Sequence, residues 1–310
     1  MSTSFPHSRA PACRRRPIFL PVQTNKIWSF REKCIYLQIE TIENMGKVVL
    51  ITGASSGFGK ATAERLAAKG YTVYGTSRNE VQHKDIHFLV MDVRDRDSVS
   101  RGVERIVEEQ GRIDVVVNNA GMGIGGSLEM ATGEEIELQM GTNFRGCVNV
   151  CQAVLPVMRR QGGGQVINLS SIGGVMGLPY QGFYSASKFA IEGFTEALAA
   201  EVRGFGIKVS MVEPGDFATN FTARRKNSEL TAKSVAYGAS FARSLELIEK
   251  EENGGLQPEK LAKTIEKIIC SRRPRLRYVV ANLEQKLSVL LKRIIPGNWM
   301  VGILRNYYKV

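Results

Sequence analysis

The run Lys47-Val48-Val49-Leu50-Ile51 passes directly into Thr52-Gly53-Ala54-Ser55-Ser56-Gly57-Phe58-Gly59, and beyond it Ala63, Leu66 and Ala67 take helical spacing before Gly70. A short β-branched apolar run bounded by turn residues reads as a buried strand. Glycines let the backbone turn tightly and come close to a ligand, while the start of the helix offers unpaired N–H groups and a positive dipole end. Three glycines alone say little; between a strand and a helix they read as a cradle for a pyrophosphate. Further strands are expected at 72–74, 87–90, 115–117, 166–169 and 208–212, and helices at 57–69, 132–160 and 182–203. Strand and helix alternation with short connections predicts an α/β fold, a doubly wound parallel sheet with right-handed crossovers. Its ligand site is expected at the carboxyl ends of the strands.

Length and composition remove several other classes. A chain of 310 residues holds one large or two ordinary domains. No apolar run approaches the roughly 20 residues of a membrane span. Only His7, His83 and His87 occur, in no metal-ligand spacing, so no metal site is expected and proton transfer falls to other side chains. Five cysteines, an odd number in a long chain, do not suggest a disulfide framework; a reducing, cytoplasmic setting is the simpler expectation. The net charge of +12 is concentrated at the ends: residues 1–45 and 283–310 each carry +4. No basic stripe interleaved with aromatics lies between them, so nucleic-acid binding is not expected.

The folded domain is expected to begin at Met45. Residues 1–44, with four prolines, Arg14-Arg15-Arg16 and no acid before Glu32, read either as a disordered leader or as an organelle-targeting segment. The domain is expected over 45–282, with a lid at about 216–257, where Phe241, Leu245 and Ile248 recur at helical spacing; a packing helix would show the same period. An amphipathic tail is expected over 283–310. Leu287, Leu290, Leu291, Ile294 and Ile295 fall on one side, near Lys286, Lys292 and Arg293, with Trp299, Met300, Ile303, Leu304, Tyr307 and Tyr308 beyond. Two roles stay open for it: peripheral attachment to a membrane surface, or packing over the chain's own pocket or a partner subunit.

The chemistry points to Ser171, Tyr184 and Lys188. Tyr184 and Lys188 are four apart and share a helical face. A free phenol, with a pKa near 10, exchanges protons poorly at neutrality. A nearby ammonium favours the phenolate and is expected to lower that pKa toward the working range. Ser171, at the strand side, can hydrogen-bond the reacting oxygen. The GxxxGxG turn, the Asn118-Asn119-Ala120-Gly121 segment after the fourth strand, Asp92-Val93 after the third, and Tyr184-Ser185-Ala186-Ser187-Lys188 together resemble the short-chain dehydrogenase/reductase family, short single-domain type, over residues 46–280.

The resemblance implies a Rossmann-like single domain and hydride transfer between a nicotinamide cofactor and a carbonyl carbon, with Tyr184 exchanging the proton on oxygen. It implies that Lys188 also holds the nicotinamide ribose and that Asn143 completes a tetrad by holding a water in the proton relay. It places Gly53, Ser55, Ser56, Gly57, Phe58, Gly59, Arg78, Asp92, Val93, Asn119, Ala120, Gly121, Tyr184, Lys188, Pro214, Gly215 and Thr219 at the cofactor. The family's NAD-holding acid at the end of the second strand is here Thr76-Ser77-Arg78. An arginine can pair with a 2′-phosphate, so NADP is expected, with NAD the alternative. The stretch from Ile172 to Gly193 is most similar to estradiol 17β-dehydrogenases and retinol dehydrogenases. That likeness implies a hydrophobic alcohol or carbonyl substrate (steroid, retinoid or other lipid-like compound) behind an apolar entrance at Met122, Val175, Met176, Leu178 and Pro179. Another small hydrophobic carbonyl compound, a sugar-nucleotide epimerase activity and a non-catalytic NADPH-binding role are the alternatives. The family also implies a homodimer or homotetramer through the two long helices.

Overall fold

The computed structural model describes residues 46–310; the leader lies outside the described residues. The elements run β1 (Val48–Ile51), α1 (Gly57–Ala67), β2 (Thr72–Ser77), β3 (His87–Val90), α2 (Arg96–Gln110), β4 (Val115–Asn118), the two-residue β5 (Ile124–Gly125) and α3 (Gly133–Met140). A π-helical turn (Gly141–Arg145) leads to α4 (Gly146–Arg160), β6 (Gly164–Leu169), α5 (Gly182–Glu201) and β7 (Ile207–Pro214). Then come the short α6 (Phe221–Arg224), β8 (Lys226–Asn227) and α7 (Glu229–Lys233), followed by α8 (Gly238–Asn253), α9 (Pro258–Cys270), β9 (Arg277–Val280), α10 (Leu283–Lys292) and α11 (Gly297–Tyr308).

Seven parallel strands form one sheet in the order β3-β2-β1-β4-β6-β7-β9. Side chains alternate across a strand, and β1 shows why the sheet is covered twice. Val48 and Leu50 point into one apolar layer with Val150, Val154 and Leu198, whereas Val49 and Ile51 point into the other with Ala63, Leu66, Ile265 and Ile268. All four β1 residues are buried, so a continuous apolar run is what this position requires. The chain leaves β1 toward β2 and β3 on one side and returns to β4 on the other. The strand order therefore reverses beside the glycine turn, where a doubly wound sheet opens a crevice.

Among the departures from the sequence expectation, two bear on the site. The helix expected over 132–160 begins at a capping box, in which Thr132 accepts from Glu135 N and Glu135 reaches back to Thr132 N, but a π-helical turn interrupts it at Gly141–Arg145. The interruption carries Asn143. The seventh strand, β9, was not expected; it is a four-residue edge strand opening on Arg277, too short and too polar at its start to stand out as an apolar run.

Candidate active site

At the crevice, Gly53 and Gly57 take positive φ, +66° and +54°. Gly59 fills a different need: a Cβ there would lie 2.4 Å from Gly53 O and 2.5 Å from Asn119 Nδ2. Asn119 closes the turn against β4, its Nδ2 donating to Thr52 O at 2.8 Å and to Gly53 O at 3.1 Å, while Thr52 Oγ1 accepts from the N–H groups of Asn119 and Ala120. Its amide thus shapes the turn from within. Helix α1 starts without a side-chain cap, so its first N–H groups face the crevice free of a side-chain acceptor. A Cβ on Gly57 would meet only Thr219 Cβ, at 3.8 Å. An uncapped helix start above an open glycine fits the phosphates of a dinucleotide. Beside it, Arg78, Arg94 and Arg224 line the same cavity; Arg224 Nη1 donates to Ser56 Oγ at 2.7 Å. Arg94 pairs with Asp92 at 2.8 Å and holds that carboxyl below its ordinary range, whereas no carboxylate among the described residues forms an ion pair with Arg78.

One cavity of about 800 Å³ joins this end to Ser171, Tyr184 and Lys188. Every residue expected at the cofactor lines it: Gly53, Ser55, Ser56, Gly57, Phe58, Arg78, Asp92, Val93, Asn119, Ala120, Gly121, Tyr184, Lys188, Pro214, Gly215 and Thr219, with the exception of Gly59, which packs beneath the turn. Ser171 follows β6, and its Oγ accepts from Gly173 N at 3.0 Å. Tyr184 and Lys188 project from α5 with Lys188 Nζ 5.7 Å from the tyrosine ring centre. That ammonium donates to Leu169 O at 2.8 Å, and its burial lowers its pKa to about 8. Burial also pushes Tyr184 up to about 12, against the pull of a hydrogen bond with Ser171. This is the opposite direction from the lowering expected from sequence. Desolvation penalises the phenolate more than the hydrogen bond with Ser171 favours it, while Lys188 is held over the ring and tied to Leu169. Asn143 is buried in the π-helical turn; its Nδ2 donates to Met122 O and Ser187 Oγ, each at 3.0 Å, and its Oδ1 accepts from Met122 N at 2.8 Å. The amide therefore clamps the loop after β4 to α5, and its polar atoms are occupied by protein partners.

Away from the phosphate end the cavity changes character. Met122, Met176 and Leu178 line it as expected, whereas Val175 and Pro179 do not. Helix α8 contributes Leu247 and Ile248, and the tail contributes Leu291, Met300, Ile303, Leu304, Tyr307 and Tyr308. Four carboxylates unseen as site residues in the sequence, Asp216, Glu251, Glu252 and Glu284, also line this arm. Asp216 is raised to about 6, first by burial and then by Glu252 and Glu251, and Gln285 Nε2 donates to its Oδ2. Glu252 pairs with the buried Arg225, which lies over the Phe221 ring; that ring meets Tyr184 edge to face at 5.9 Å. These residues are spread over some seventy positions, and no local motif links them.

Comparison with known proteins agrees with this architecture. A family model described as short chain dehydrogenase matches residues 47–230. A 3-ketodihydrosphingosine reductase from Bacteroides thetaiotaomicron is 55% identical over 265 residues, covering 85% of this chain and 98% of the relative. Human 17-beta-hydroxysteroid dehydrogenase type 1 is 34% identical over 268 residues, covering 80% of each. A solved short-chain dehydrogenase from Streptomyces avermitilis matches with a TM-score of 0.72 at 32% identity, covering 85% of this chain and 98% of its own. A family model over more than half of the chain, and a relative similar along almost its whole length, place this oxidoreductase in the short-chain dehydrogenase/reductase family.

Proposed function

We propose that the chain is an NADP(H)-dependent reductase of a long-chain amino ketone of the 3-ketosphingoid type, with Ser171, Tyr184 and Lys188 as its catalytic residues and Asn143 as their positioning partner. When bound, the dinucleotide supplies the hydride. Ser171 and Tyr184 would hold the carbonyl oxygen between two hydroxyls, and Tyr184, kept protonated by burial, would give that oxygen its proton. Lys188 adds a positive charge beneath the ring and keeps it in register with Leu169. The observation that carries the substrate reading is the second arm of the cavity, apolar through α8 and the tail yet bearing Asp216 and Glu251. A 3-ketosphingoid base joins a long alkyl chain to an ammonium beside the ketone, so both features have a counterpart. A neutral steroid or retinoid offers the carboxylates no opposite charge. The relative at 55% identity carries the matching name.

The preference for NADP(H) is supported by Arg78, which lines the cavity with Arg94 and forms no ion pair with a carboxylate among the described residues. Self-association through α4 and α5 remains part of the reading. The test is steady-state turnover of 3-ketodihydrosphingosine, its desamino ketone and estrone with each cofactor, followed at the reduced-nicotinamide absorbance. Higher kcat/KM for estrone than for the amino ketone overturns the substrate. Higher kcat/KM with NADH than NADPH, or an unchanged cofactor ratio in Arg78→Ala, overturns the cofactor.

A further inference from the structure

The two tail helices pack on the body and the cavity along one side and turn a wide apolar face outward. Val289 of α10 and Met300 of α11 are buried, and Ser244 Oγ donates to Tyr308 O at 2.6 Å. Ten of the sixteen exposed large hydrophobic residues among the described residues fall within 283–310. A stretch so short holding most of the exposed apolar side chains is the reverse of an ordinary surface helix, whose apolar stripe faces inward. On α10 the spacing of Leu283, Leu287 and Leu290 makes one stripe, which Ile294 in the following turn and Trp299 at 70% exposure continue.

The charges carried by residues 283–310 themselves are mostly of one sign. Lys286, Lys292, Arg293, Arg305 and Lys309 stand against Glu284 alone; among the described residues none of the five forms an ion pair with an Asp or Glu side chain, and Arg305 Nε donates to Val310 O at 3.0 Å. Two copies meeting through it would bring like charges together. The face also meets the site: Leu291 and Ile303 are exposed, and both line the cavity that reaches Tyr184. We propose that α10 and α11 dock on an anionic lipid surface, with the apolar stripe in the acyl boundary, the lysines and arginines at the headgroups and the mouth of the cavity against the bilayer. The docking goes beyond the substrate reading, and its test needs no substrate.

The test is flotation of the full chain with vesicles of phosphatidylcholine containing phosphatidylglycerol, and with phosphatidylcholine alone, at physiological salt. Two variants outside the cavity lining are compared, the triple Leu287→Ser/Ile294→Ser/Trp299→Ser and the double Lys286→Glu/Arg293→Glu, each first shown to keep the parent's circular dichroism and NADPH binding. The parent is expected to float with the anionic vesicles, and each variant to lose roughly tenfold or more in partitioning. Absence of flotation by the parent overturns the proposal. So does equal flotation by parent and variants, which would place any lipid affinity elsewhere in the chain. Sedimentation showing a dimer in the parent that the triple variant loses, without flotation, assigns the face to a second copy and also overturns it.

Discussion

Tyr184 and Lys188 are each moved by burial away from their ordinary values, and the directions matter for the chemistry. A phenol held up to about 12 is protonated throughout the neutral range, the state a reductase needs in order to give a proton to a developing alkoxide. Lys188, lowered to about 8, is charged below that pH and loses its proton as pH rises through it. The reductive kcat is therefore expected to fall above about pH 8 as the cation beneath the ring disappears; a flat profile from neutrality to pH 10 would contradict this. Tyr184→Phe removes the donor while leaving the ring, and kcat is expected to drop by roughly a hundredfold or more while NADPH binding, read by fluorescence, survives. Retention of parental turnover would remove Tyr184 from the mechanism. Burial is what a sequence hides at this scale. The four-residue spacing made Tyr184 and Lys188 legible as a pair, but the sign of the tyrosine's shift is set first by its burial, to which Glu252 and Asp216 add, and no local pattern brings these surroundings together.

Among the elements, β9 shows how a segment with little local signal is fixed by distant partners. Arg277 opens the strand and pairs with Glu192 and Glu196 of α5 and with the fully buried Glu213 of β7. It thus ties an edge strand to the helix that carries Tyr184 and Lys188, and Glu192 lies one turn beyond Lys188. Removing the cation would leave Glu213 and Glu192 buried without their countercharge, so Arg277→Met is expected to cost about 3–5 kcal/mol in denaturant unfolding. A loss under 1 kcal/mol would mean that these carboxylates take up protons or water at little cost. The central strands were legible because each is a β-branched run buried on both faces. The π-helical turn was not, because it is a change in hydrogen-bond register inside a stretch whose apolar spacing continues through it. Its effect on the site is concrete all the same: it seats Asn143 between Met122 and Ser187.

Across the whole molecule, one cavity runs between ends of opposite charge. Arg78, Arg94 and Arg224 stand at the phosphate cradle, while Asp216, Glu251, Glu252 and Glu284 stand on the arm covered by α8 and the tail. An anionic cofactor and a cationic amphiphile entering such a cavity are sorted to their own ends before any close contact forms. Asp216 is the carboxylate best placed to test this, since it follows Pro214-Gly215 directly, is felt at the Tyr184 hydroxyl and is charged only above about pH 6. Below that pH it is neutral and offers an ammonium no countercharge; above it the attraction is complete. KM for an amino ketone is therefore expected to fall as pH rises through about 6, whereas KM for the desamino ketone of equal chain length stays level. Asp216→Asn keeps the shape and the contact with Gln285 but removes the charge. It is expected to raise KM for the amino ketone by roughly ten- to a hundredfold at neutral pH, to flatten its pH dependence and to leave the desamino ketone unaffected. Equal losses for both ketones would make Asp216 a support for the tail rather than the group that reads the amine.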